Sequence, residues 1–262
     1  MVVLLYGIII LCAATLGAAV GIGGGVIIKP LLDALGFHTV EVVSFISSCA
    51  VFSMSISASL RHIRAKTAVK PKIVLLISLG AVVGGNIGNH LFDAAFDRFQ
   101  PAAVKGIQAS ILALLVLFIL FYVNARHVKS FHMQNPIFIA LGGLLLGLLS
   151  AFLGIGGGPI NTTFLVLLFS FTVKESAVYS VAIIFFSQLS RLVTVFVSNH
   201  FAPYIPYYPL ILTAMAVGIL GGVLGVYLNK KLSDKAITKV FSATLVFVLA
   251  LNIYNAVMGF AT

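Results

Sequence analysis

The chain has 262 residues, of which 61% are hydrophobic and only 8% are charged. Because a soluble domain carries about 25% charged residues, this pool cannot cover a water-facing surface, and a lipid bilayer is the solvent that suits it. The formal net charge of +10 is typical of basic loops held on the cytoplasmic side. A nucleic-acid-binding protein is excluded, since no soluble basic domain is present to display the charge.

Eight apolar runs are each close to the roughly 20 residues that cross a bilayer as a helix. They are 2–20, 39–60, 73–92, 101–124, 137–153, 174–198, 208–228 and 236–258. Two shorter runs, 26–37 and 159–172, directly follow glycine clusters. We therefore predict an all-α polytopic membrane protein of about 8 to 10 helical segments. The short runs are half-helices, short spans or the return arms of re-entrant hairpins.

An internal repeat divides the chain. The motif G-I-G-G-G at Gly21–Gly25 recurs at Gly154–Gly158, and the same offset aligns Thr39-Val40 with Thr172-Val173. A second glycine motif, Gly84-Gly85-x-x-Gly88, recurs as Gly221-Gly222-x-x-Gly225. Each repeat is expected to hold a glycine-broken helix or hairpin plus three spanning helices. The predicted division is a first membrane repeat over 1–124, a linker over 125–135 and a second membrane repeat over 136–262.

Loop charges indicate that the two repeats are inverted. The loop after the second long run carries Arg61, Arg64, Lys66, Lys70 and Lys72, whereas its equivalent near 198–208 has no lysine or arginine. The next pair of loops shows the reverse bias, which is expected when equivalent loops face opposite sides of the membrane. If each glycine-broken element is a hairpin or two short spans, the chain leaves it on the face where it entered, and 12 of the 16 basic residues are then cytoplasmic. Both termini are then predicted to lie outside.

The two glycine clusters are the first candidate for substrate binding. Glycines let a ligand approach the main chain, and the helix that follows each cluster presents free N–H groups and a positive dipole end. Oxyanions suit such a site. The alternative is close helix packing through small residues. The candidate residues are Gly21, Gly23, Gly24 and Gly25 in the first cluster and Gly154, Gly156, Gly157 and Gly158 in the second.

Polar side chains within the predicted membrane segments are the other candidates. Lys29 lies one turn into the first short helix, where an ammonium is costly unless it is paired, hydrated or snorkelling. Asn161 and Thr162 lie at the matching point of the second short helix, as substrate contacts or as caps. Ser187 and Arg191 belong to a polar stripe along 174–198. A guanidinium there either binds a fork of anion oxygens or snorkels outward.

Motifs for catalysis are missing from the sequence. The six acids do not pair at catalytic spacing, and neither H-E-x-x-H nor G-x-S-x-G occurs. We therefore expect no enzyme, no catalytic residue, no metal and no cofactor. Because no ATP-binding motif occurs either, the driving force is expected to be an ion gradient, of protons or sodium, or the substrate gradient itself.

The doubled glycine motif also carries a family resemblance. G-I-G-G-G-V-I-I-K-P-L-L over Gly21–Leu32, repeated as G-I-G-G-G-P-I-N-T-T-F-L over Gly154–Leu165, resembles the TauE/SafE family of sulfite and organosulfonate exporters. The duplicated layout and the size extend the resemblance over the whole chain. It implies secondary export of sulfur-containing anions, with the glycine breaks near the transport path.

These observations together predict a secondary transporter in a bacterial inner membrane that moves a small anion by alternating access. Its partners are expected to be the anion, the lipid bilayer and a coupling ion, with no nucleic acid. The sequence leaves open the anion, the coupling ion, the direction of transport and the oligomeric state. A passive anion channel is the alternative, because it would use the same helix-dipole chemistry. A membrane-embedded enzyme is disfavoured by the lack of reactive groups.

Overall fold

A computed structural model describes residues 2–67, 69–99, 101–124, 133–153, 155, 157–197 and 201–261. These residues form ten α-helices and one short 3-10 helix, and eight helical segments are long and apolar enough to cross a membrane. The predicted all-α polytopic architecture is therefore confirmed. The helices are α1 (Val2–Val20), α2 (Gly25–Leu35), α3 (Val40–Arg64), α4 (Pro71–Arg98), α5 (Pro101–Asn124), α6 (Pro136–Leu153), α7 (Gly158–Phe169), α8 (Val173–Val197), α9 (Tyr208–Lys231) and α10 (Asp234–Ala261), with the 3-10 helix at Ala202–Tyr207.

Two of the helices are too short to span. The 11 residues of α2 and the 12 of α7 rise about 16 and 18 Å, roughly half of a hydrocarbon core of about 30 Å. Just beyond α2, the Nδ1 atom of His38 lies 2.9 Å from the hydroxyl of Tyr6, near the start of α1. Just before α6, the N–H of Met133 donates to the carbonyl of Leu168, near the end of α7. Each glycine-broken unit is thus a hairpin whose short arm returns to the face where its long arm begins.

Helix pairs that pack through glycine give the directions of the long helices. Methyl groups placed on the glycines of α9 would meet α1, and methyl groups on the glycines of α4 would meet α6. These contacts are Gly221 with Ala14, Gly225 with Ala18, Gly84 with Leu144 and Gly88 with Leu148. Since the residue numbers rise together in each pair, α1 is parallel to α9 and α4 is parallel to α6. Small residues at such interfaces let backbones approach closely within a membrane.

The helix directions define two faces of the molecule. The terminal face holds the first residue of α1 and the last residue of α10, and the basic face lies opposite. Lys174 at the start of α8 donates to the carbonyl of Leu232 between α9 and α10, 2.8 Å away, which places both points on the basic face. The basic face carries Arg61, Arg64, Lys66, Lys70, Lys72, Lys174, Lys230, Lys231, Lys235 and Lys239.

The two halves of the chain run in opposite directions. α1 and α3 run from the terminal face to the basic face, whereas their equivalents α6 and α8 run from the basic face to the terminal face. The predicted inversion of the repeats is therefore confirmed. The predicted linker falls largely on residues 125–132, outside the described residues, so the division of the chain at that linker stays a prediction.

Which face is cytoplasmic also stays a prediction, and impermeant thiol labelling tests it. In a background with Cys12 and Cys49 replaced by alanine, we expect Lys66→Cys and Lys231→Cys to be protected in intact cells. Ala202→Cys on the terminal face should be labelled, because basic loops are retained in the cytoplasm. All three positions are exposed. Permeabilised cells, in which all three should react, are the control. Labelling of either lysine position in intact cells would contradict this orientation.

Candidate functional site

The two glycine breaks meet each other directly. A methyl group on Gly25, the first residue of α2, would overlap the carbonyl oxygen of Ile155 in the second break. A methyl group on Gly158, the first residue of α7, would likewise overlap the carbonyl oxygen of Ile22 in the first break. Gly158 and Ile155 are the repeat equivalents of Gly25 and Ile22, so the two contacts correspond to each other. The N-termini of the short helices are therefore brought together by an approximate two-fold relation between the halves.

This junction lies near the middle of the membrane. The methyl of Val51, close to the centre of α3, lies 3.2 Å from the position of a Cβ on Gly25. The side chain of Ile184, close to the centre of α8, covers Gly23 in the same way. From this depth α2 extends to the terminal face and α7 to the basic face. The junction is thus the place where two half-helices begin, about equally far from both faces.

The backbone at the breaks requires glycine. Gly24 has a φ of 60° and Gly157 a φ of 77°, and each is the N-cap residue of its half-helix. Gly21 and Gly23 also have a φ of 77°, in the left-handed region that residues with a Cβ avoid at a cost of roughly 1–2 kcal/mol. Because both N-cap residues are glycines, neither provides a side-chain acceptor for the first N–H groups of its half-helix. Gly154 and Gly156 lie outside the described residues.

Hydroxyl groups of the second half bind the first break. Thr162 Oγ1 donates to the carbonyl oxygen of Gly21 at 3.0 Å, and Ser180 Oγ donates to the same oxygen at 2.7 Å. Both hydroxyl residues are completely buried. Because a buried carbonyl without a partner is costly, these two bonds hold the first break against α7 and α8. In this conformation the hydroxyl of Thr162 therefore has a structural role at the junction.

Other buried hydroxyls have no hydrogen-bond partner within the described part of the chain. Ser150 Oγ lies 2.5 Å from the position of a Cβ on Gly157, and Asn161 Oδ1 lies 3.1 Å from it. Unpartnered hydroxyls lie on α6 and α7 of the second hairpin and on the long helices α3 and α8. They are Ser44, Ser47, Ser59, Ser150, Thr163 and Ser176. Ser150 was missed by the sequence analysis, although the repeat offset places it opposite Gly17, which contacts the first break.

Lys29 is buried and paired. Its ammonium lies 3.0 Å from Asp33 Oδ2 and 3.0 Å from Gln108 Oε1, and only 4% of the residue is exposed. The ammonium of Lys29 therefore does not extend to the membrane surface. The sequence analysis did not anticipate either partner. The four-residue spacing of Lys29 and Asp33 was the available signal for the ion pair, whereas Gln108 on α5 could be found only from the fold.

Ser187 and Arg191 lie apart from the junction. Ser187 Oγ donates to the carbonyl of Ile184 in its own helix, 3.0 Å away. Arg191 is two turns beyond Ile184, about 10 Å nearer the terminal face, with its guanidinium 6.0 Å from the ring centre of Phe92.

The structure thus brings together Gly21, Gly23, Gly25, Gly158 and Thr162, with Gly24, Gly157 and Asn161 adjacent and Lys29 one turn away. Arg191 and Ser187 are not part of this group.

Comparison with known proteins gives two matches. The family described as "Sulfite exporter TauE/SafE" matches residues 6–253. The chain is also similar to a protein of Bacillus subtilis (strain 168) described as "Probable membrane transporter protein YunE". The two are 27% identical over 274 residues, which is 95% of this chain and 96% of that protein. No solved structure matches the chain.

The contact between the breaks predicts unequal effects of two glycine substitutions. Gly158→Ala places a methyl group on the backbone oxygen of Ile22, which no side-chain rotation can relieve. Gly36→Ala is the matched control, because Gly36 has a φ of 68° but nothing within 4 Å of its Cβ position. Backbone strain alone costs roughly 1–2 kcal/mol, and overpacking typically costs about 1–3 kcal/mol.

We expect Gly158→Ala to lower the midpoint of thermal unfolding in detergent more than Gly36→Ala does. Alanine normally stabilises a helix relative to glycine by about 0.5–1 kcal/mol, so a loss at position 158 can come only from the contact. An unchanged or raised midpoint for Gly158→Ala would contradict the direct meeting of the two breaks.

Proposed function

The chain belongs to the Sulfite exporter TauE/SafE family, and from this premise we propose that it exports a small sulfur oxyanion, such as sulfite or a sulfonate, by alternating access. Membrane transport is the shared property of the family and of the Bacillus relative. The substrate class, the direction and the mechanism are our proposal. It takes the substrate site to be the junction of the two breaks.

The observation that carries the proposal is the meeting, in the middle of the membrane, of two half-helix N-termini that have no side-chain cap. Each N-terminus is equivalent to about half of a positive elementary charge, and its first N–H groups point at a ligand. Together the two ends offer roughly one positive charge without any side chain. Discontinuous helices at a repeat interface bind substrates in the same way in other transporters.

The present neighbours of the junction indicate how an anion would be held. The carbonyl oxygens of Ile22 and Ile155 each lie against the first glycine of the opposite half-helix, so a partly negative oxygen already lies beside each N-terminus. An oxyanion offers several such oxygens and could replace both carbonyls when the halves move apart. Asn161 and Thr163 on α7, and Ser150 on the adjoining α6, would supply further hydrogen bonds.

A full countercharge is also needed, because removal of an ion from water is very costly. Lys29 is the candidate nearest to the junction, and Arg191 is a candidate for the path between the junction and the terminal face. Arg191 can engage two oxygens at once. Since Asp33 neutralises Lys29 in this conformation, Lys29 can serve the anion only if that ion pair changes.

A carrier is favoured over a passive channel by the closed junction. A channel needs a continuous path, whereas backbone atoms of the two breaks are in contact at mid-depth. The inverted halves supply two equivalent arrangements, one opening the junction to each face. This relation is the usual basis of alternating access in transporters built from inverted repeats.

Counterflow in proteoliposomes tests the proposal. Purified protein is reconstituted with unlabelled sulfite or methanesulfonate inside, and uptake of the same labelled anion is followed. A carrier should accumulate label transiently above its external concentration, because it exchanges one anion for another. A passive channel would only equilibrate the label. No uptake of any sulfur oxyanion would contradict the proposed function.

Two isosteric variants sharpen this test. Thr162→Val removes the hydroxyl that donates to Gly21, and we expect counterflow to fall several-fold because the junction loses a buried hydrogen bond. Thr213→Val is the matched control, since among the described residues the Thr213 hydroxyl bonds only within its own helix, to the carbonyl of Pro209. Equal counterflow in the two variants would argue against transport at the junction.

A further inference from the structure

A buried polar cluster lies beside the junction, within the membrane. It consists of Lys29 and Asp33 on α2, Gln108 on α5, and Asn252 and Asn255 on α10. None of these residues is more than 6% exposed. Asn255 also donates to the carbonyl oxygen of Pro30, at 2.8 Å. Ionisable groups at this depth are expensive and usually functional, yet the proposed binding of an anion at the glycine breaks does not use Asp33.

The cluster contains unused hydrogen-bonding capacity. Asp33 Oδ1 and Asn255 Oδ1 are buried without a partner among the described residues. The cavity that these side chains line has a volume of only about 10 Å³, close to the space that one water molecule needs. An oxyanion does not fit there, but a proton on the carboxyl group needs no space.

The cluster is also connected to the second break. Its cavity is lined by Leu153 and Ile155, and Gln108 Nε2 donates to the carbonyl of Phe152 at 2.6 Å. The same Gln108 accepts from Lys29. One glutamine side chain thus joins the ammonium of Lys29 to the last turn of α6, which leads into the junction. An anion at the junction would lie about one helical turn from Lys29.

Electrostatics link the two sites. With Lys29 and Asp33 both ionised, the pair is neutral, because the carboxylate balances the charge of the ammonium. An anion that approaches Lys29 brings a second negative charge close to the Asp33 carboxylate. Two negative charges in a poorly solvated site favour protonation of one of them. The sulfonate is too strong an acid to take that proton, so the carboxyl group takes it.

We propose that Asp33 is a proton-binding site whose protonation frees Lys29 to pair with the transported anion. This inference rests on the proposed function and adds the coupling ion to it. The proton adds to the carboxylate and gives a neutral carboxyl group, while Lys29 keeps its own proton and charge. By linkage, proton and anion each strengthen the binding of the other. One proton therefore accompanies each anion, and a singly charged sulfonate moves as a neutral unit. Export is then driven by the outward gradient of the anion itself and not by an inward proton gradient.

A proton suits this site better than a metal cation. A sodium ion at the Asp33 carboxylate would lie next to the Lys29 ammonium, 3.0 Å from the same group, and the like charges would repel. The single-water cavity also leaves no room for the additional oxygen ligands that a sodium ion needs. Protonation removes a charge at the site without adding a new atom to be coordinated.

Other titratable groups near Asp33 differ in their roles. Lys105 on α5 donates to the backbone carbonyl of Asp33 at 2.8 Å, not to its carboxylate. Tyr6 on α1 lies within the electrostatic field of Asp33 and contacts His38. Burial holds the pKa of His38 below its ordinary value, so its imidazole is neutral at pH 7. Glu41, at the start of α3, is exposed. The facing groups of α10 are neutral amides.

The test follows protons and anion together in proteoliposomes. A pH-sensitive dye is trapped inside, the membrane voltage is clamped with potassium and valinomycin, and methanesulfonate is added outside. Methanesulfonate is the probe because its charge does not change near neutral pH, unlike that of sulfite. We expect its entry to acidify the lumen by one proton per anion in the wild type. Asp33→Asn should carry methanesulfonate with at least a tenfold smaller proton flux.

Two further variants guard the interpretation. Asp33→Glu keeps an ionisable group and should retain acidification, and His38→Gln should do so as well, because the proposal places the proton on the carboxyl group of residue 33. Methanesulfonate entry without acidification in the wild type, with or without dependence on sodium, would overturn the inference while the proposed function stands. Absence of counterflow in the wild type would overturn both. If Asp33→Asn does not fold, the wild-type proton-to-anion ratio alone decides.

Discussion

The contact between the two glycine breaks is the constraint on which the rest of the structure depends. Ile22 and Ile155 each place a carbonyl oxygen where the first residue of the opposite half-helix would carry a side chain. Only glycine permits this approach, and it fixes the depth at which α2 and α7 begin. Because the hydrocarbon core offers no water, the polar groups exposed by each break must be satisfied by the other half. The inverted repeat and the proposed anion site therefore have the same physical origin.

Buried charge is the second constraint. The Lys29–Asp33 pair is neutral overall and bonded to Gln108. The half-helix α2 therefore holds an ammonium within the membrane without leaving an unpaired ion. Such a pair contributes little net stability, since desolvation offsets most of the attraction. Its position one turn from the junction fits the proposed transport mechanism, in which neutralisation of one partner releases the charge of the other. In that proposal the dipole ends of the helices and the ammonium of Lys29 act on the same anion.

Much of this fold follows from the sequence, because its signals are local or periodic. The lengths of the apolar runs gave the spanning helices, and the swapped loop charges around Lys66 and Lys231 gave the inversion. The glycine motifs located the breaks, and Lys29 was singled out because burial of an ammonium within the membrane costs free energy. Contacts between distant segments were not accessible in this way. The bonds of Thr162 and Ser180 to Gly21, and the Gln108 partner of Lys29, depend on how helices far apart in sequence pack. The separation of Arg191 from the junction has the same cause.

The central claim is that the anion binds between the two half-helices, and its location can be measured directly. Selenite is the selenium analogue of sulfite, and selenium scatters X-rays anomalously. Crystals of the protein grown with selenite, and measured at the selenium absorption edge, should give an anomalous peak between the N-termini of α2 and α7, near Gly25 and Gly158. Anomalous peaks confined to the lysines and arginines of the basic face, with none at the junction, would contradict the account.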